Sequence, residues 1–254
     1  MPSNNQSIHP NNKDLQITFT EENHLYIDSN KKKYMSVTTL IGKAFPEFDS
    51  EKVAEQCAIK RGVSKDDLLK EWAEKGEKAR FYGTRMHENI EHYINHEHDL
   101  MYTPDDIKEK IMFDGSIRII DSIIKKYHPV LLEPEKLIFS PAFGIAGSVD
   151  LLIKVNDLEY IIIDWKRLSK DLEKESFGNK CGHILPTLNI PDSNYWHYAL
   201  QLQIYENILK SENYINVNAQ VKKTLIAWNG QKFKLEKVPY ITEAWALMAW
   251  RNKF

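Results

Sequence analysis

The sequence predicts a mixed α/β fold with a largely helical N-terminal half, and three observations carry that prediction. Residues 50–127 repeat apolar positions at helical spacing, with breaks at Gly62 and near 99–104. After His128-Pro129 the character changes to β-branched runs of strand length at 137–139, 146–155 and 160–165. A helical pattern at 195–209, a strand pattern at 221–228 and a helical pattern at 241–251 follow, the alternation expected of helices packed on a sheet.

Taken in order, residues 1–14 are polar and Asn-rich and are expected to form a disordered tail. Residues 15–254 are expected to be one domain, with a mainly helical part at 15–128 and an α/β core at 129–254. Alternating Ile17, Phe19, Leu25 and Ile27, with Tyr34 and Met35 beyond the turn Asp28-Ser29-Asn30, predict a small β-hairpin or meander. Ser36 is placed to cap a helix carrying Val37, Leu40, Ile41 and Ala44, which Pro46 stops. In 105–127, Ile107, Ile111, Ile117, Ile120, Ile123 and Ile124 suggest a broad apolar stripe. Asn156-Asp157 is a hairpin signal between two strands. Residues 168–193, with Gly178, Gly182, Pro186 and Pro191, read as an irregular loop.

Composition narrows the function classes. Of 254 residues, 42% are hydrophobic and 28% charged, which fits a globular chain able to bury its own core. The 34 Lys and Arg against 36 Asp and Glu give a net charge of −2, so any nucleic-acid surface must be local. The two cysteines, Cys57 and Cys181, exclude a disulfide framework and a four-thiolate iron–sulfur cluster. No apolar run reaches membrane-spanning length, and the N-terminus lacks the apolar stretch of a secretory signal. A soluble, intracellular protein is the expectation.

Four segments carry candidate chemistry. At the end of the apolar run Ile161-Ile162-Ile163, Asp164 and Lys166 project from one strand face. A carboxylate there can hold a hard divalent cation, and the ammonium can neutralise phosphate charge; a solvated ion pair is the plain alternative. Asp150 interrupts another apolar run, where an unpaired carboxylate would cost several kcal/mol. Pairing about Asn156-Asp157 brings Asp150 level with Asp164; a turn-capping or Arg-paired carboxylate is its alternative. His87 and Glu91, spaced i, i+4 after Gly83, share a helix face beside Met86 and Ile90. Such an imidazole can reach a metal, or can be a packed histidine. Gln201 and Tyr205 repeat that spacing, either facing a catalytic lysine or phosphate or forming a helix rim.

In sequence these segments give G-x-x-x-H, then E, G-x-x-D, D-x-K and Q-x-x-x-Y. The series resembles the PD-(D/E)XK nuclease superfamily in its RecB-like exonuclease branch, including the mitochondrial genome maintenance and the phage and large-virus exonucleases. The resemblance spans about residues 36–205. It implies a restriction-endonuclease-like core, a mixed central sheet flanked by helices, in a metal-dependent DNA exonuclease. It also implies that His87, Glu135, Asp150, Asp164 and the Trp165 carbonyl hold one or two Mg²⁺ or Mn²⁺ ions, with Glu133 the neighbouring alternative to Glu135. Lys166 then matches the catalytic lysine, and Gln201 and Tyr205 the helix that closes the site; Glu91 receives no role.

DNA, single-stranded or with free ends, is the expected partner, with replication or recombination proteins as further partners and no membrane. Arg80, Arg85, Arg167 and Tyr205 are the expected DNA contacts. Tyr82, Trp165, Tyr195, Trp196 and Tyr198 offer stacking faces, with core filling as the alternative for each. A structure-specific endonuclease and a non-catalytic DNA-binding module are the rival functions.

Overall fold

The computed structural model describes residues 6–254. The chain begins with a meander of four strands: β1 (Gln6–His9), β2 (Asn12–Thr20), β3 (Leu25–Asp28) and β4 (Lys33–Ser36). Residues 6–14, expected in a disordered tail, therefore form β1 and the start of β2; residues 1–5 lie outside the described residues. Composition misled here because His9 is buried, bonded to Glu212 at 3.1 Å and set edge-on to Phe139. Long-range bonds from His9 and Asn11 to residues 212–213 order a segment whose own residues are mostly polar.

Ser36 accepts from the Thr39 amide and caps α1 (Val37–Gly42). Then come α2 (Ser50–Arg61), stopped by Gly62 at φ 66°, and the 30-residue α3 (Lys65–Ile94), capped by Ser64. In α4 (Ile107–Tyr127) the inward stripe is Met112, Phe113, Ser116 and Ile120. This corrects the isoleucine stripe: Ile107, Ile111 and Ile124 are exposed. The six isoleucines spread too far round the helix to share one face, and the core selected Met112 and Phe113 instead.

The second half supplies β5 (Leu131–Ser140), β6 (Ile145–Asn156), β7 (Glu159–Arg167), α5 (Asn194–Ser211), β8 (Gln220–Trp228), β9 (Phe233–Val238) and α6 (Glu243–Trp250). Nine strands form one mixed sheet in the order β1-β2-β3-β4-β6-β7-β8-β9, with β5 paired to β6. Helices α1, α5 and α6 cover one face of its core, through Leu40, Ile162, Leu202 and Leu247 among others. Helices α3 and α4 cover the other, through Met86, Phe113, Ile163 and Trp165. The fold is thus mixed α/β, a central mixed sheet between helices.

One topological detail positions everything that follows. β5 runs antiparallel along β6 from Leu131↔Lys154 to Ser140↔Ile145, occupying one whole edge of it. The other edge is shared. Parallel β4 takes its start (Met35↔Ile145, Ser36↔Ala146), and antiparallel β7 takes its end, from Leu151↔Ile163 onward. Between them, Gly147 to Asp150 face a fork where β4 and β7 part.

Candidate metal centre

Asp150 and Asp164 are the next residues beyond the last β6–β7 pair, Leu151↔Ile163. Where the ladder ends, the Asp150 side chain continues it: Oδ2 accepts from the Trp165 amide at 2.7 Å. Across the other edge of β6, Glu135 occupies the corresponding step between Pro134↔Leu151 and Lys136↔Val149. Its backbone is left-handed, at φ 45°. A non-glycine residue so placed inside a strand stores strain of about 1–3 kcal/mol, which its surroundings must offset. The Glu135 carboxylate accepts from Ser148 Oγ at 2.9 Å and meets His87 Nδ1 at 3.3 Å. Glu133 instead bonds Lys136 at 2.6 Å, so of the two glutamates only Glu135 joins the cluster.

His87 enters the fork from α3. Its Nδ1 lies 3.3 Å from Glu135 and 3.6 Å from Asp150 Oδ2, and its Nε2 lies 3.1 Å from the Trp165 carbonyl. A carbonyl and ionised carboxylates only accept hydrogen bonds, so both ring nitrogens act as donors, as in an imidazolium. The electrostatics agree. Burial pulls the His87 pKa down, but Asp150 and Glu135 outweigh it and raise it to about 9. Burial pushes Asp150 up to about 7 against the opposing pull of His87. Burial also acts to raise Glu135, yet His87 and Ser148 hold it below the ordinary range.

His87, Glu135 and Asp150 place one ligand atom each within 4.8 Å of one another, a group that can hold a metal ion. Asp164 stands just outside this trio. Only 1% exposed, it accepts from Lys166 Nζ at 2.9 Å, and its Oδ2 lies 2.9 Å from the same ammonium. A carboxylate there is a further oxygen donor of the kind a hard cation takes, beside the trio. Burial acts to lower the Lys166 pKa, but Asp164 and Asp150 outweigh it and hold the ammonium above its ordinary value.

On the other side, α5 seals the fork. Gln201 donates to the Tyr205 hydroxyl at 2.9 Å, and a Cβ on Gly147 would lie 2.6 Å from Tyr205 Cε1. Tyr205 is 3% exposed and Gln201 is also buried, so this pair is a packed wall and not a helix rim. Tyr198, one turn before Gln201 on the same helix face, sets its ring 4.9 Å from Lys166 Nζ. The close fit at Gly147 makes a prediction: Gly147→Ala should lose about 1–3 kcal/mol in urea unfolding through overpacking, whereas an unchanged midpoint would show that Tyr205 can yield.

The expected DNA contacts fare unequally. Arg85 is spent inside the protein, on Glu109 at 2.7 Å and the Thr103 carbonyl at 2.8 Å, and it sits over the Tyr102 ring. Arg167 lies half-buried 5.0 Å over Tyr82. Tyr205 is enclosed. Arg80 alone of the four is exposed. Among the aromatics, Trp165 and Tyr195 are core residues, Tyr198 serves Lys166, and Trp196 bonds the Lys174 carbonyl at 3.1 Å. Residues that sequence reasoning missed are Phe19, Glu21 and Tyr26, brought in by the meander. Phe19 and Glu21 line a cleft of about 400 Å³ beside His87 and Glu135, and the buried phenol of Tyr26 is pushed up by burial and then by Glu135 and Asp150. No local signal in a short hairpin could have placed them there.

No family model matches the chain, and no curated protein sequence matches it. Among solved structures, it is similar to a protein of Eubacterium rectale described as a candidate exonuclease. That likeness has 14% identity and a TM-score of 0.42, covering 91% of this chain and 82% of that one. A protein named SSO0001 is similar at 16% identity and a TM-score of 0.29, with 54% of each chain covered. At these scores neither neighbour carries functional weight. Among the described residues, no helix is long and apolar enough to cross a membrane.

Proposed function

We propose that this protein is a divalent-metal-dependent deoxyribonuclease, an exonuclease that hydrolyses phosphodiesters from DNA ends with Mg²⁺ or Mn²⁺. The observation that supports it best is the adjacency, in one strand fork, of the His87–Glu135–Asp150 trio and the Asp164–Lys166 pair. Nitrogen and carboxylate donors suit Mn²⁺ beside Mg²⁺, with the Trp165 carbonyl as a further oxygen donor. When bound there, such an ion supplies Lewis acidity toward a phosphoryl oxygen and makes a water more acidic.

The protein's own residues do the rest. Asp164 and Asp150 hold Lys166 above its ordinary pKa, which favours the charged ammonium. Its part is to meet the negative charge that grows on phosphorus oxygens as water attacks. The water oxygen forms the new P–O bond and loses a proton to solvent, while the bond to the leaving sugar oxygen breaks and that oxygen takes up a proton from solvent to leave as the alcohol. Tyr198 and Asp164 fix the ammonium; Gln201 and Tyr205 close the wall behind Gly147 and exclude water from that side. Arg80, exposed on the helix that carries His87, is a first contact for the phosphate backbone.

The test uses single- and double-stranded DNA labelled at either end, plus a circular single strand, each incubated with Mg²⁺ or Mn²⁺. Metal-dependent shortening of linear DNA that spares circles, and is absent from Asp164→Ala, is the expected result. Cutting of circles would favour a structure-specific endonuclease. Inert wild-type protein that still binds DNA would favour a non-catalytic binding module.

A further inference from the structure

The cleft beside the trio runs between α3 and the end of the β2–β3 hairpin. One wall is Phe19, whose ring stacks on the buried Tyr26 with centroids 4.5 Å apart and planes 28° apart. His24 meets Phe19 edge-on at 5.2 Å. Backed in this way, the ring has a fixed orientation. Gly83 and Thr84 of α3, one turn before His87, also line the cleft.

Charge then selects the occupant. Glu21, Glu88 and Glu91 line the cleft, and no lysine or arginine does. Carboxylates repel a phosphate but accept hydrogen bonds from an exocyclic amino group, as acidic side chains do from cytosine N4. A fixed aromatic face and an acceptor rim in one cleft together suit a flat ring bearing amino hydrogens.

The geometry points to a nucleobase pocket: the base next to the scissile phosphate stacks on Phe19, and bases with an exocyclic amine are preferred over thymine. This inference rests on the nuclease reading above and adds a substrate preference to it.

The experiment measures binding of fluorescein-labelled single-stranded dC and dT homopolymers by anisotropy, with Ca²⁺ in place of Mg²⁺, and cleavage of the same strands with Mn²⁺. Wild type should bind dC more tightly than dT. Phe19→Leu keeps an apolar side chain without a π-face, and should melt with wild type yet bind dC about 5–150-fold more weakly, the size of one lost base–aromatic stack. Phe19→Trp should bind like wild type, with its indole fluorescence quenched by DNA. If wild type cleaves DNA but binds dC and dT alike, or if Phe19→Leu binds like wild type, the pocket is refuted and the nuclease reading stands. If wild type neither binds nor shortens any strand, the nuclease reading itself falls.

Discussion

Replacing Lys166 by alanine is expected to lower metal-dependent cleavage of DNA by about 10²–10³-fold in turnover. That is the usual loss when one preorganised donor to transition-state charge is removed. The size follows from its setting. The ammonium is held by the almost fully buried Asp164 and by the Tyr198 ring, so it is aimed before substrate arrives. Binding of DNA with Ca²⁺ should change far less than turnover, because the cation acts on charge that exists fully only at the transition state. Lys166→Arg should recover little, since a planar fork cannot occupy the place of a point charge above Tyr198. Single-turnover cleavage by Lys166→Ala at wild-type rate would remove the residue from the mechanism. The Asp164→Asn protein should suffer differently. It leaves a half-buried ammonium without its nearest counter-charge, a loss of about 1–3 kcal/mol in stability, visible in urea unfolding.

The second large effect is a cation-dependent gain in thermal stability that grows with pH. In the metal-free protein the pKa of Asp150 is raised to about 7 and that of His87 to about 9. A raised pKa in the folded state contributes stability while the group is protonated in both states, and loses it as pH climbs through the folded value. The Asp150 contribution is complete below about pH 4 and gone above its folded value; that of His87 is complete below about 6.5 and gone above about 9. The metal-free melting temperature should therefore fall from about pH 5 to pH 9. A divalent cation needs the same groups deprotonated, so its stabilisation should rise over that interval. At about 100 times its Kd it should contribute roughly 2.7 kcal/mol, or about 5–10 °C for a chain of this size. Mn²⁺ titrations followed by differential scanning fluorimetry at pH 6 and pH 9 make the check. Equal shifts at the two pH values, or a full shift in Asp150→Asn, would be incompatible with the trio as the binding site.

Much of the placement of these groups could be read from local pattern. Alternation put Asp164 and Lys166 on one face, and the Asn156-Asp157 turn put Asp150 level with Asp164, because strand register is fixed by the hairpin that joins the strands. Helical spacing likewise grouped Gln201 with Tyr205. Failures have a common cause in tertiary context. α5 is buried on nearly every side and carries Gln203, Glu206 and Asn207 inward, satisfied partly by the buried Lys223. Such a helix has no polar face to recognise, which is why its Gln201–Tyr205 face resembled a rim. Arg85 looked free because its partner Glu109 lies on another helix. Glu135 could be placed near the first core strand, but its left-handed backbone is imposed from outside and has no sequence signature. β9 was missed altogether: its inward and outward residues, such as Val238 and Lys237, alternate over only six positions.

The parallel pairing of β4 with β6 also sets a timetable for synthesis. Met35 must wait for Ile145, about 110 residues later in the chain, before its strand has a neighbour on that side. At ribosomal rates of roughly 5–20 residues per second the delay is roughly 5–20 s. Throughout that interval the nascent meander carries a bare strand edge, and Phe19 and Tyr26 have no trio to face. The meander is thus obliged to dock on strands made much later.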